Sequence, residues 1–456
     1  MQCPQCNSLI EEGTTFCGNC GTQLVPLQAQ GATIVASAEE QQLANNSSIP
    51  MSRYGQPFSA PQASPAPQVQ PYVPATDTPG PSNPPQSPSR PRRTNVGRIA
   101  LIAIVILLLV AGGTIGITTL LLKNNNAGSV IVPPGATGLV SFLDSQNGQG
   151  RTDALRIKIT GLSTPPAGFQ YEAWLVNDQN EQTIALGTLV ASGQTFSLNY
   201  AGDGSRRQQG TNLLGAGNKL KITLEQGQVN LPTGKVVLSG TFPPKAFVHI
   251  RHLLFSFPTT PGKVGLLVGL RDQTQHLDAQ ALILQNAVSA QNSQAITCAA
   301  QNIIDIIEGT NGSNYQPLSD QCASQNITAA YDGFGLLGSA SDSQGGYIAT
   351  AAAHASLAAT QPDATDNIRI HAQHIEIAMT NIKGWVTTVD ADAVALLSNP
   401  SNTAKVSEIV TLSDHAYHGV DINGDEQIDP VPGEAGAITA YIHGQLMAAL
   451  PLVLSS

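Results

Sequence analysis

Apolar residues are scattered without period through residues 25–97 and run unbroken over Ile99–Leu122. They alternate with polar residues in short runs from about 128 to 245, and recur at helical spacing beyond about 273. The unbroken run has 24 residues and no charge. As a helix it would reach about 36 Å, enough for a hydrocarbon core of about 30 Å, so the pattern predicts a transmembrane helix over 98–123. Arg90, Arg92, Arg93 and Arg98 precede it and only Lys123 closes it. That asymmetry predicts a cytoplasmic N-terminus and extracytoplasmic domains after residue 124, a single-pass protein of the cell membrane. Gly112 and Gly116 give the span a small-residue face that suits pairing with a second copy.

The alternating part contains LVSFLD, ALRIKITGL, YEAWLVND, TIALGTLV, QTFSLNYA, NKLKITLE and KVVLSGTF, separated by Gly-, Pro- and Asn-rich turns. Leu155, Ile157 and Ile159 fall on one face of such a run, as do Leu220, Ile222 and Leu224. The spacing predicts an antiparallel β-sandwich over 128–270. Beyond it, Ile296, Ile303, Ile306 and Ile307 share one helical face, and Ile368, Ile375, Met379 and Ile382 another. Gly309 and Gly384 stand where C-terminal caps belong. Residues 271–456 therefore read as an α-helical bundle. The predicted fold is multidomain: a small metal knob at 1–24, a Pro-rich linker at 25–97, the membrane helix, the sandwich and the bundle.

Charge sharpens the division. After residue 275 the chain carries 3 Lys and Arg against 18 Asp and Glu, whereas 124–275 carries 12 against 8. The net charge of -10 excludes a strongly basic nucleic-acid binder as the whole-chain reading. Between Pro50 and Pro91, 13 of 42 residues are Pro. Such a stretch buries too little apolar surface to offset its ordering entropy and is expected to be a disordered tether.

The cysteines are divided too. Cys3-Pro-Gln-Cys6 and Cys17-Gly-Asn-Cys20 are two C-x-x-C turns, each of which can deliver two thiolates to one tetrahedral zinc. A segment this short cannot build a core, and structural zinc, worth about 10–16 kcal/mol, would supply its stability. The pattern CPQC…FCGNCG resembles the short bacterial zinc-ribbon family over residues 1–24. Residues 1–52 hold Glu11, Glu12, Glu39 and Glu40 but no Lys or Arg, so a protein partner suits the ribbon better than nucleic acid. Cys298 and Cys322 lie in the bundle and are expected to pair as a disulfide.

YEAWLV at 171–176, LGTL at 186–189 and KITLEQGQVNLPTGKVVLSG at 221–240 resemble the extracytoplasmic C-terminal domain of anti-sigma-K factors. The resemblance covers about 128–245 and implies the outer domain of a single-pass regulator. The helical sigma-binding module of that family has no counterpart here, so sigma binding does not follow.

Asp421, Asn423, Asp425, Gln427 and Asp429 alternate along a loop at positions 1, 3, 5, 7 and 9, and Glu434 follows. Oxygen donors in that order suit calcium, and the run resembles EF-hand and dockerin loops. It departs from them at Glu426, where Gly is usual, and at Pro432. An Asx-rich turn capping the next helix is the competing reading. His371 and His374, and His415 and His418, are i,i+3 pairs, with His354 as a further candidate for metal or haem. Ordinary helix-surface and hydrogen-bonded histidines compete with that reading, and neither HExxH nor CxxCH occurs.

Together these features predict a non-enzymatic envelope sensor or regulator with zinc in its ribbon. A calcium-stabilised surface binding or structural protein is the alternative, and a metal- or haem-dependent enzyme a third.

Overall fold

The computed structural model describes residues 135–145, 151–180, 182–200, 211–338 and 345–455. The expected zinc ribbon, linker and membrane span all lie outside them. Among these residues nine strands form one antiparallel sheet: β1 Thr137–Leu143, β2 Ala154–Thr160, β3 Phe169–Val176, β4 Thr183–Thr188, β5 Val190–Ser192, β6 Thr195–Tyr200, β7 Lys219–Gln226, β8 Lys235–Thr241 and β9 Leu450–Leu454. Their order is β4-β3-β7-β8-β9-β1-β2-β6-β5. The two outer strands, β4 and β5, are consecutive in sequence, and β4 approaches β6, so the sheet curls almost into a closed barrel.

Alternation explains the strands. In β2, Leu155, Ile157 and Ile159 are buried while Arg156, Lys158 and Thr160 face solvent. Curvature comes from register shifts at Ala173/Trp174 against β4 and at Ile222/Thr223 against β8. Trp174 is fully buried near both and donates its indole N–H to the Thr223 hydroxyl at 2.7 Å.

Among the described residues seven longer helices complete the body: α1 Pro244–Leu254, α2 Leu266–Ser289, α3 Ser293–Glu308, α4 Tyr347–Thr360, α5 Asp366–Ser398, α6 Val406–His418 and α7 Ala437–Met447. They pack as a bundle in which α5 contacts α3, α4, α6 and α7. Gly269 on α2 permits one close crossing, since a Cβ there would lie 2.2 Å from the Tyr347 ring of α4. Tyr347 is then fixed by donating to Asp332 at 2.6 Å.

Sheet and bundle share one core. β9, at the far end of the sequence, inserts between β8 and β1, pairing Gly138 with Leu452 and Leu238 with Leu454. At the end of β1, Asp144 accepts from Tyr441 (2.6 Å) and Gln445 (2.9 Å) of α7 and pairs with Arg271 of α2 (3.2 Å). The Arg271 guanidinium lies over the Tyr441 ring at 4.3 Å.

The expected fold class is therefore corrected. Instead of a two-sheet sandwich followed by a bundle, a single nearly closed sheet takes a strand from the chain's end. No helix among the described residues is long and apolar enough to cross a membrane, which stands against the expected transmembrane architecture and single-pass localisation, whose span at 98–123 lies outside those residues. The long helices are amphipathic: α2 and α5 bury one face and expose polar residues on the other, Gln275 and His276 on α2 and Asp366 and Lys383 on α5. Gly384, expected as a cap, lies inside α5, because the predicted segments 366–384 and 391–399 belong to one helix. Gly309 does cap α3, with φ 73°.

Candidate metal centres

The first centre begins with α1. Pro244 occupies the first turn, where a missing N–H costs nothing. Asp363, from the turn between α4 and α5, accepts from the Lys245 N–H (2.7 Å) and the Ala246 N–H (3.1 Å) and so caps the helix from outside. Phe247, Ile250 and Leu254 bury one face. His249 and His252, three apart, share another. Both meet His354 of α4: its Nδ1 lies 3.1 Å from the Nδ1 of His249 and 3.3 Å from that of His252. Phe257 packs its ring against His252 and His354 at 5.4 and 5.0 Å between centroids. The Gln361 amide sits 3.3 Å from the outer nitrogen of His249 and helps to orient that ring.

The second centre repeats this plan. Thr365 caps α5 by accepting from the Ile368 N–H at 3.3 Å. The Asn367 amide donates to the Leu446 carbonyl at 2.9 Å, tying the start of α5 to the end of α7. His371 and His374 of α5 then face His443 of α7, whose Nδ1 lies 2.9 Å from that of His371 and 3.3 Å from that of His374. Each centre thus joins an i,i+3 pair to one histidine of a neighbouring helix. His354 and His371 stand about one and a half turns on either side of the α4–α5 turn.

Three nitrogens meeting in this way are poorly satisfied by hydrogen bonds alone. A neutral ring offers one hydrogen or one lone pair at Nδ1, and the central ring cannot match both neighbours linearly. All six rings are held toward neutrality. Burial lowers the pKa of His354 to about 4, with repulsion from His252 and His249 added. Burial also lowers His371 to about 3, assisted by His374, and His374 to about 4. His249 and His252 are shifted down by burial, and His443 is shifted well down by burial and its two partners. Neutral imidazole is the form that binds metal. Around a tetrahedral ion with bonds of about 2.0–2.1 Å, ligand nitrogens lie about 3.3 Å apart, close to the spacings seen here. Three ligands leave a fourth position open.

Among the described residues one more group brings three potential ligands together, Asp278 of α2 with Asp414 and His418 of α6. There His418 sits 2.8 Å from Asp414, and both side chains are about half exposed, at 48% and 51%. The Asp414 hydrogen bond raises the His418 pKa, so this pair is organised as a surface ion pair.

The residues singled out by sequence fall in several places. Cys3, Cys6, Cys17 and Cys20 lie outside the described residues. Cys298 and Cys322 are joined, with Cα atoms 5.5 Å apart. Asp421 accepts from the Gly424 N–H (2.7 Å) and the Glu426 N–H (2.8 Å), Asn423 from Asp425, and Asp425 from Gln427. Glu434 is buried and accepts from the Asp429 N–H at 2.9 Å. Its pKa is raised by burial, and Asp429, Asp421 and Asp425 push it further. The acidic residues of this loop do not form one of the close ligand groups. Of the histidines, His371 and His374 act together, but His354 joins α1 instead. His415 leaves its expected partner His418 and packs on Trp385 at 5.6 Å. His249, His252 and His443 were not anticipated, although His249-x-x-His252 repeats the i,i+3 spacing of the other pairs.

Comparison of the chain with family models, curated proteins and solved structures finds no match.

Proposed function

We propose that the folded body is a transition-metal-binding protein with two three-histidine centres, His249/His252/His354 and His371/His374/His443. The observation that carries this reading is the convergence of three Nδ1 atoms in each group, with the central ring 2.9–3.3 Å from both neighbours, on side chains pushed toward neutrality. All-imidazole donor sets suit zinc, copper, iron and nickel and disfavour calcium and magnesium. The open position at each ion would admit water or an exogenous ligand.

Metal titration of the full chain tests the proposal. Wild type, His354→Ala and His443→Ala are loaded with Zn²⁺, dialysed and analysed for bound metal. Each substitution is expected to remove one equivalent relative to wild type, independently of any metal on the N-terminal cysteines. Equal metal content in all three proteins, each folded by circular dichroism, would contradict it.

A further inference from the structure

A cavity of about 290 Å³ adjoins the first centre. It lies where α1 meets the turn after β3 and the start of β7, and His252 and Arg251 both line it. His252 turns Nδ1 toward His354 at 3.3 Å, so its ring is shared between the centre and the cavity wall. Three phenylalanines supply an apolar wall: Phe242 and Phe247, stacked with centroids 4.0 Å apart, and Phe255.

Arg251 gives the cavity its sign. The guanidinium is partly buried and lies against the Phe247 and Phe255 rings at 5.8 and 5.4 Å. It makes one hydrogen bond, to the Gly215 carbonyl at 3.1 Å, from a fork of five donors. Among the described residues no carboxylate pairs with it. Charges removed from water are ordinarily paired, and no described carboxylate pairs this one. Asn218, also in the wall, turns its amide oxygen to the Asp178 N–H at 3.0 Å, which leaves its NH₂ group as a second donor.

We propose that this cavity binds a small organic carboxylate, its anionic head on Arg251 and Asn218 and its apolar body against Phe242, Phe247 and Phe255. A bidentate carboxylate fits the guanidinium fork, and aromatic walls favour a flat apolar group over a bare inorganic anion. Because His252 belongs to both sites, the bound carboxylate also acts on the first metal centre. This second part rests on the metal reading above, whereas the cavity and its uncompensated cation do not.

Benzoate is the probe, with benzyl alcohol as its neutral counterpart and inorganic phosphate as an anion without an apolar body. Calorimetric titration of the metal-free full chain is expected to show saturable benzoate binding with Kd on the order of 1 mM or tighter. Benzyl alcohol and phosphate should bind at least about tenfold more weakly, and Arg251→Met should weaken benzoate by a similar factor. Arg251→Lys, which keeps the charge and loses the fork, should fall between the two. No benzoate binding, or equal binding of benzoate and benzyl alcohol, would overturn the proposal, and that wild-type comparison holds even if the variants fail to fold. Tighter phosphate than benzoate would overturn the aromatic part. In Co²⁺-loaded protein, benzoate should shift the visible absorption bands that depend on His354, and the shift should vanish in Arg251→Met. Benzoate binding with unchanged bands would refute the coupling alone. Absence of any His354-dependent cobalt bands would refute the metal reading, and the metal-free titration would still decide the cavity.

Discussion

At the scale of single residues the protein keeps titratable groups where water is scarce, and the two classes respond to pH with opposite sign. The clustered histidines have folded pKa values below the unfolded value of about 6.5. Their stabilising contribution is complete above that value and is lost as pH falls toward about 4 and 3. Metal-free protein should thus lose stability on acidification from pH 6.5 to 4, by up to about 1.4 kcal/mol per pH unit for each such histidine. Denaturant titrations of wild type and His371→Ala over this range check it, the variant showing the shallower slope. Asp390 behaves oppositely. Burial, with Glu308 nearby, raises it to about 7, and one carboxylate oxygen has no hydrogen-bond partner. Its contribution is complete below the unfolded value of about 3.9 and is lost as pH rises through 7. Asp390→Asn should therefore raise the melting temperature relative to wild type at pH 8 and lose that advantage at pH 5.

The same scale shows what could be read from sequence. His371 and His374 were legible as a pair because helical spacing puts i and i+3 on one face. Their third partner was not, since His443 arrives from a helix 69 residues away and nothing local marks it. His249 and His252 carried the same local signal within a stretch following the last predicted strand, and no periodic run framed them. Spacing also suggested His415 with His418, yet the adjacent Asp414 and Trp385 draw the two rings apart. Asp421, Asn423 and Asp425 have short side chains that reach nearby backbone N–H groups, which the calcium and Asx-turn readings both require and so do not separate.

At the scale of elements, placement of the ligand-bearing helices depends on contacts remote from the histidines. Asp363 caps α1 with both carboxylate oxygens. Asp363→Ala should cost about 1–2 kcal/mol and weaken metal binding at His249/His252/His354 more than at the second centre. Comparison of melting curves with metal retention in His443→Ala and His443→Ala/Asp363→Ala proteins separates the two effects. Gly269→Ala would push a methyl group into Tyr347 of α4 and should cost about 1–3 kcal/mol. The strands of the β region were legible because alternation is a local property, and all seven runs lie in β1 to β8. β9 was not: five residues, LPLVL, carry little pattern, and Pro451 argues against a strand with neighbours on both sides.

At the scale of the whole molecule, the C-terminal strand and the Asp144 network make sheet and bundle one body. A change in period along the sequence marks a change of element type and does not by itself mark a boundary between independent folds. That is why a sandwich beside a bundle was expected and a shared core was found. The Cys298–Cys322 link closes a loop across a separation of 24 residues, and its reduction should lower stability by about 3.5 kcal/mol. Urea unfolding with and without reductant measures that loss. The two histidine centres stand on either side of the turn between α4 and α5, at positions that only the folded body brings together. Anomalous diffraction from crystals of the full chain grown with Zn²⁺ tests this most directly. The account predicts a peak in each triad, about 2.0–2.1 Å from its three Nδ1 atoms. Fully ordered triads without a peak, their rings linked only to one another or to water, would contradict it.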